Sequence, residues 1–163
     1  LELRYLFDAN DNVQTISDVT PTPNSTQNQS FVYDDLDRLI GATAPQSYGS
    51  AVFEYDVFDN LRRHQVGARD WRYRYTDGSN RLNTIETAAS QTIAQYSYDF
   101  RGNTTSGILG QGPTATTINT NFDRAETVTS IVENGVTTEF TYDAHGHRIK
   151  IVTGGVTRYP VYT

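Results

Sequence analysis

The chain has 163 residues, a net charge of -6 and a sequence pI near 4.9. That balance excludes binding modes that neutralise phosphates with Lys and Arg, on nucleic acids or anionic membranes alike. It has no Cys, which excludes disulfides, thiolate chemistry and cysteine-ligated zinc, and it has no apolar run of about 18 residues that would read as a membrane-spanning helix. Hydrophobic residues make up only 36% of the chain, but 11 Tyr and 7 Phe carry much of that content, and no long stretch repeats apolar residues at helical spacing. Aromatic and β-branched residues fit half-buried strands. The absence of Met reads as the mark of a piece excised or processed from a longer chain.

Taken in chain order, one unit recurs. It begins with an aromatic and an Asp: Phe7-Asp8, then Tyr33-Asp34, then Tyr55-Asp56. The next copy, Tyr75-Thr76-Asp77-Gly78-Ser79-Asn80-Arg81-Leu82, has one extra residue. Tyr98-Asp99-Phe100-Arg101-Gly102-Asn103, Phe122-Asp123 and Tyr142-Asp143-Ala144-His145-Gly146-His147-Arg148 follow, and Tyr162 opens an eighth copy. The anchors at 7, 33, 55, 75, 98, 122, 142 and 162 are separated by 26, 22, 20, 23, 24, 20 and 20 residues. Such regularity marks a repeat array.

Two residues before most anchors stands a second aromatic, as at Tyr5, Phe31, Phe53, Tyr73, Tyr96 and Phe140, with mostly polar residues such as Glu54, Arg74 and Ser97 between them. Residues i and i+2 of a strand share a face, so each copy predicts a strand with an aromatic face and a polar face. A second strand is predicted to open on Val13, Leu39, Leu61, Leu82, Val128 and Ile149, with Thr104 as the exception. The Asp between the strands caps backbone N–H groups of the turn. The fourth turn residue needs a positive φ, which Gly102 and Gly146 adopt freely and Asp11, Asp37 and Asp59 tolerate. Glu126 does not fit, so that turn is expected to be irregular. Looser connections join one hairpin to the next, notably the 21–29 stretch and Gly110-Gln111-Gly112-Pro113. The prediction is an all-β protein, a single array over 1–163 of about seven tandem antiparallel hairpins truncated at both ends. It forms a curved strip with its aromatic faces joined in one ladder. Full packing of those rings would make Tyr55→Ala or Tyr98→Ala cost about 3–5 kcal/mol.

Functional alternatives were set against this structural reading. His145-x-His147 with His64 or an acid is a candidate zinc or copper site, but both histidines occupy variable turn positions, and turn decoration is preferred. Asp8 to Asn12 resembles half of a calcium loop but lacks its glycine and glutamate, so a repeat turn is preferred and no metal or cofactor is expected. No nucleophile elbow, H-E-x-x-H or phosphate loop is present, and no enzyme activity is expected. Trp71 and Tyr73 are the candidate carbohydrate contacts. The preferred reading puts Trp71, Tyr73 and Tyr75 in the aromatic ladder, with Arg72 and Arg74 on the solvated face.

The motif resembles the YD-repeat, or Rhs-repeat, family. The resemblance runs from about Tyr5 to Tyr162 and rests on Tyr33-Asp34, Tyr55-Asp56, Tyr98-Asp99 with Gly102-Asn103, and Tyr142-Asp143 with Gly146 and Arg148. It implies a segment of a β-shell from a bacterial polymorphic toxin or a related protein, with a secreted or cell-surface location. The implied function is a non-catalytic wall that encloses or presents another polypeptide, such as a toxin domain. The implied partners are the remaining repeats of the parent shell, the enclosed polypeptide, or a second copy joined through edge strands. The self-cleaving DPxG-type element of some members has no counterpart, since no Asp-Pro pair occurs. The alternatives are a carbohydrate or cell-surface binding module and, more weakly, a self-processing protein or hydrolase.

Overall fold

The structure, a computed structural model, describes residues 2–20 and 27–161. The 21–26 part of the first long connection and Tyr162, the anchor of the eighth copy, lie outside the described residues. Fifteen strands are present: β1 (Leu3–Phe7), β2 (Val13–Asp18), β3 (Gln29–Tyr33), β4 (Leu39–Ala44), β5 (Gly49–Tyr55), β6 (Leu61–Val66), β7 (Arg69–Tyr75), β8 (Leu82–Thr87), β9 (Thr92–Tyr98), β10 (Thr104–Leu109), β11 (Thr116–Phe122), β12 (Val128–Glu133), β13 (Val136–Tyr142), β14 (Arg148–Thr153) and β15 (Val156–Arg158). A 3-10 turn at Gly112–Thr114 interrupts them. Within each of its units strand order follows chain order. The protein is all-β, built of tandem antiparallel hairpins. Its backbone divides into two compact units, residues 1–74 with 86–91 and residues 75–85 with 92–163.

Within the first unit β1 pairs β2, β3 pairs β4, and β5 pairs β6, each across a turn opened by the repeated Asp. In the second, β9–β10, β11–β12 and β13–β14 do the same. Every one of these six ladders carries a bulge beside the turn. Tyr55 faces Leu61 while Glu54 faces Arg63, so Arg62 has no partner opposite. Tyr142 faces Arg148 while Thr141 faces Lys150, so Ile149 is the bulged residue. A bulge adds one residue to one strand and so shifts its side-chain alternation. Residues facing the two aromatics of a copy therefore lie three apart, as with Val13 and Ile16 or Leu39 and Ala42. The same bulge corrects one sequence expectation: Arg148, not Ile149, opens the last second strand, and its guanidinium lies 4.2 Å from the centre of the Phe140 ring.

Two further expectations are corrected. Glu126 has a φ of +64° and the turn around it is regular, with the Asp123 amide donating to Thr127 and the Glu126 amide donating to Asp123, as in the other copies. Several connections between hairpins are tight rather than loose. Asn134-Gly135 and Gly154-Gly155 take positive φ at both positions and close two-residue turns that continue the ladder into β13 and β15. Primed turns of this kind match the right-handed twist of the strands they join.

The core is thin. The buried apolar residues are Ala42, Ala44, Ala51 and Ala94, and no large side chain among the described residues is fully buried. The paired aromatics of β3, β5, β9 and β13 are half-buried, while the residues between them are exposed. Phe53 stacks on His64 across the β5–β6 ladder, ring centres 5.0 Å apart, and Trp71 meets His64 edge-on from β7. Side-by-side contact of this kind covers ring edges and leaves part of each face open. Truncating one ring therefore costs less than the value for a fully packed core.

The turn conformation gives a direct test. Gly146 has a φ of +81° and open space around its missing Cβ, so Gly146→Ala strains only the backbone. It is expected to cost about 1–2 kcal/mol in urea unfolding followed by far-ultraviolet dichroism. Gly107→Ala, where φ is not positive and a Cβ meets the Tyr96 ring at an ordinary 3.7 Å, is expected to cost less than half of that.

Candidate functional site

The repeated aromatic-Asp turn is where the chain concentrates its polar chemistry. In every copy but the one at Tyr75, where Thr76 replaces the Asp and the Ser79 hydroxyl accepts from the Arg81 amide, one carboxylate oxygen accepts from the backbone amides two and four residues on. Asp8 accepts from Asn10 and Asn12, Asp34 from Leu36 and Arg38, and Asp56 from Phe58 and Asn60, all at 2.9–3.0 Å. Asp99 accepts from Arg101, Gly102 and Asn103 at 2.9 Å, Asp123 from Ala125 and Thr127, and Asp143 from His145 and His147. The second oxygen takes the side chain four residues on: Asn12, Arg38, Asn60, Asn103 or His147. His147 thus fills the Asn position of the motif, and the aspartate holds its ring.

At Asp8, Asp34, Asp99 and Asp143 these contacts hold the carboxyl below its ordinary range. The Asn12 amide does so at Asp8, the Arg38 side chain at Asp34, the Asn103 side chain at Asp99 and the His147 amide at Asp143. At Asp56 partial desolvation pushes upward, but the Asn60 hydrogen bonds outweigh it.

The anchor's hydroxyl joins one hairpin to the preceding one. Tyr33 donates to the Val13 carbonyl, Tyr55 to Leu39, Tyr98 to Leu82 and Tyr142 to Val128, at 2.8–3.0 Å. In every case the acceptor is the first residue after the preceding turn. Burial raises the pKa of Tyr55 and Tyr98, so both hydroxyls keep their protons at neutral pH. Phe122 has no hydroxyl and makes no such bond.

Successive turns are also tied to one another. Asn10 and Asn12 donate to Asp37 at 2.8 and 2.7 Å. Arg38 reaches Asp59 at 2.6 Å and the Asp56 carbonyl at 3.2 Å, with its guanidinium 4.9 Å from the Tyr55 ring centre. In the second unit Arg81 donates to the carbonyls of Asp99 and Phe100, and Arg101 reaches the Arg124 carbonyl and, at 3.6 Å, Glu126. The acid at the positive-φ position is therefore the receptor for the turn before it. At Gly102 the glycine leaves room for the preceding arginine, since a Cβ there would lie 3.2 Å from the Arg81 guanidinium, whereas Gly146 has open space around it.

The other candidates are placed as follows. Trp71 and Tyr73 lie half-buried on β7, and Arg69 sits 4.6 Å from the Trp71 ring centre, over its face. Arg72 is not simply solvated: with Arg63 directly opposite, it shares Asp70, at 3.3 and 2.8 Å respectively. This placement offsets like charges on neighbouring strands. Arg74 is exposed and pairs with Glu86. His145 and His147 have ring centres 6.2 Å apart. Among the described residues no three His, Cys, Asp or Glu side chains gather as a metal site would require.

The caps make stability acid-sensitive. Carboxyls with depressed folded pKa values stabilise the fold fully above the unfolded value, 3.8, and lose that contribution as pH falls through the folded values. The thermal midpoint, followed by dichroism, is expected to hold down to about pH 5 and to fall progressively below about pH 4. A flat midpoint across that range would show that the caps are not coupled to folding.

No protein-family model matches the sequence, and no curated protein matches it. Solved structures do. The chain aligns with the crystal structure of TcdB2-TccC3-Cdc42 at a TM-score of 0.73 and 18% identity, over 93% of this chain and 9% of that one. It aligns with TcdB2-TccC3-TEV at 0.70 and 19%, over 93% and 9%, and with TcdB2-TccC3 at 0.54 and 12%, over 96% and 11%. The chain thus spans about a tenth of the length of the chains it matches, and at these identities the likeness is one of fold. Motif, turn geometry and fold agree, and the chain fits a YD-repeat segment.

Proposed function

We propose that this chain is a structural module, a stretch of wall in a larger bacterial YD-repeat shell that encloses or presents another polypeptide such as a toxin domain. The observation that carries this reading is the bond from each YD tyrosine to the hairpin before it. Where it occurs, the bond makes one hairpin a template for the next, so that the array can be extended by further copies. The likeness in fold to TcdB2-TccC3 structures, of which this chain would represent a tenth, supports the same reading. The six aspartates that follow the anchors cap turns, and His147 is bonded to Asp143, which supports a non-catalytic role. The family resemblance implies a secreted or cell-surface location for the assembled shell. The carbohydrate alternative gains no support at Trp71, whose ring face is taken by Arg69.

The partners are the neighbouring repeats, which would pair with β1 and β15. Tyr5, Leu6 and Phe7 on β1 are 46%, 54% and 55% exposed, whereas the equivalent aromatics inside the array are half-buried. In isolation the 163-residue chain is therefore expected to self-associate through its edges. Sedimentation at micromolar concentration should show species above 18.3 kDa whose share grows on tenfold concentration. In the parent protein, the enclosed polypeptide should resist protease and become cleavable when residues 1–163 are deleted. An unchanged digestion pattern would contradict enclosure.

A further inference from the structure

We propose that the turn edge of the first three repeats is a docking surface for a basic, amphipathic polypeptide segment. The tips of the second and third of these turns carry large apolar side chains that the fold does not use. Leu36 is 68% exposed, Val57 90% and Phe58 66%. The turn needs only backbone amides at 36 and 58, which donate to Asp34 and Asp56. Other copies place Ala9-Asn10, Arg124-Ala125 or Ala144-His145 at the same two positions with the same hydrogen bonds, so turn geometry does not ask for leucine, valine or phenylalanine; the second unit carries one such tip, Phe100, 85% exposed, with the Arg101 guanidinium over its ring.

The tips are held beside one another. Arg38 leaves the second turn and binds both Asp59 and the Asp56 carbonyl of the third, which ties the turn that carries Leu36 to the turn that carries Val57 and Phe58. Exposed apolar side chains gathered in this way mark interaction sites more often than scattered ones do.

Charge identifies the partner. Turns 8–12, 34–38 and 56–62 hold seven aspartates against Arg38 and Arg62, which places most of the chain's net charge of -6 on this one edge. Asp11 and Asp35 are exposed there. In the second unit the turns are mixed, with Arg101, Arg124 and Arg148 among the acids. An acidic edge tipped with apolar side chains repels nucleic acid and anionic lipid. It complements a segment that alternates Lys or Arg with apolar residues, charge setting the encounter and the apolar tips the residence. The proposal is independent of the shell reading, since the edge would serve in either a wall or a free module.

The test uses the 163-residue chain and a short fluorescent amphipathic peptide of leucine and lysine, with a leucine–glutamate peptide as control. Anisotropy should show saturable binding of the lysine peptide only, weakened as salt rises. Amide shifts should concentrate in 34–38 and 56–60. The Val57→Ser/Phe58→Ser double variant should lose affinity at least about tenfold. Asp35→Lys keeps the tips and should weaken the lysine peptide while admitting the glutamate one. If the double variant alters the dichroism spectrum, the Asp35→Lys result decides. Equal binding by both peptides, an affinity unchanged in Asp35→Lys or in a normally folded double variant, or shifts centred on β1 or the aromatic face would overturn the proposal.

Discussion

A hairpin of this size cannot bury its own apolar face, and here no second layer among the described residues supplies a deep core. Its stability therefore depends on what it shares with the hairpin before it. The shared contact of fixed geometry is the phenol hydroxyl of the YD tyrosine, donated to the first carbonyl after the preceding turn. Because the ring is half-buried, water competes poorly for that hydroxyl. Removing it leaves a carbonyl with one partner fewer. The bond also sets the distance at which the aromatic rings of one hairpin meet the second strand of its predecessor. In those four copies it ties the anchor ring to the preceding hairpin, while the Phe122 copy keeps the same turn and bulge without it.

The aspartate beside the tyrosine does the complementary work within the hairpin. It turns the chain sharply enough that the tyrosine and the residue six positions on face each other, and the bulge that follows keeps both on the aromatic side. The fourth turn residue then decides how one turn speaks to the next. An acid there receives an arginine or asparagine from the preceding turn and accepts the strain of a left-handed backbone. A glycine gives up that charge and relieves the strain. Both solutions occur in one chain, so the motif is a choice between two ways of linking turns rather than a consensus with errors.

Much of this was legible in the sequence. The spacing of Tyr33, Tyr55, Tyr98 and Tyr142 gave the array, and Asp with a following Gly gave the turn. What escaped was whatever depends on a neighbouring copy. Glu126 looked wrong for a left-handed position because its compensation, Arg101, lies one repeat away. Ile149 was chosen over Arg148 because strict alternation ignores the bulge; the three-residue spacing of Val13 and Ile16, or Val128 and Ile131, was the available signal. Asn134-Gly135 and Gly154-Gly155 carry the two-residue hairpin signal on their own, independently of the aspartate motif. The preference for Tyr over Phe at the anchor had no explanation within one copy, since its acceptor belongs to another.

The central claim is that the tyrosine hydroxyls, beyond their rings, couple successive hairpins. It is tested by replacing Tyr33, Tyr55, Tyr98 and Tyr142 with Phe, singly and together, and measuring urea unfolding by far-ultraviolet dichroism. Each single change should cost about 0.5–1.5 kcal/mol, and the fourfold variant should lose about the sum. Adding a hydroxyl with Phe122→Tyr should give a gain of the same order. Four silent substitutions, with a fourfold variant that unfolds at the parental urea concentration, would contradict the account and leave the coupling of repeats to ring packing, backbone ladders and the contacts between successive turns.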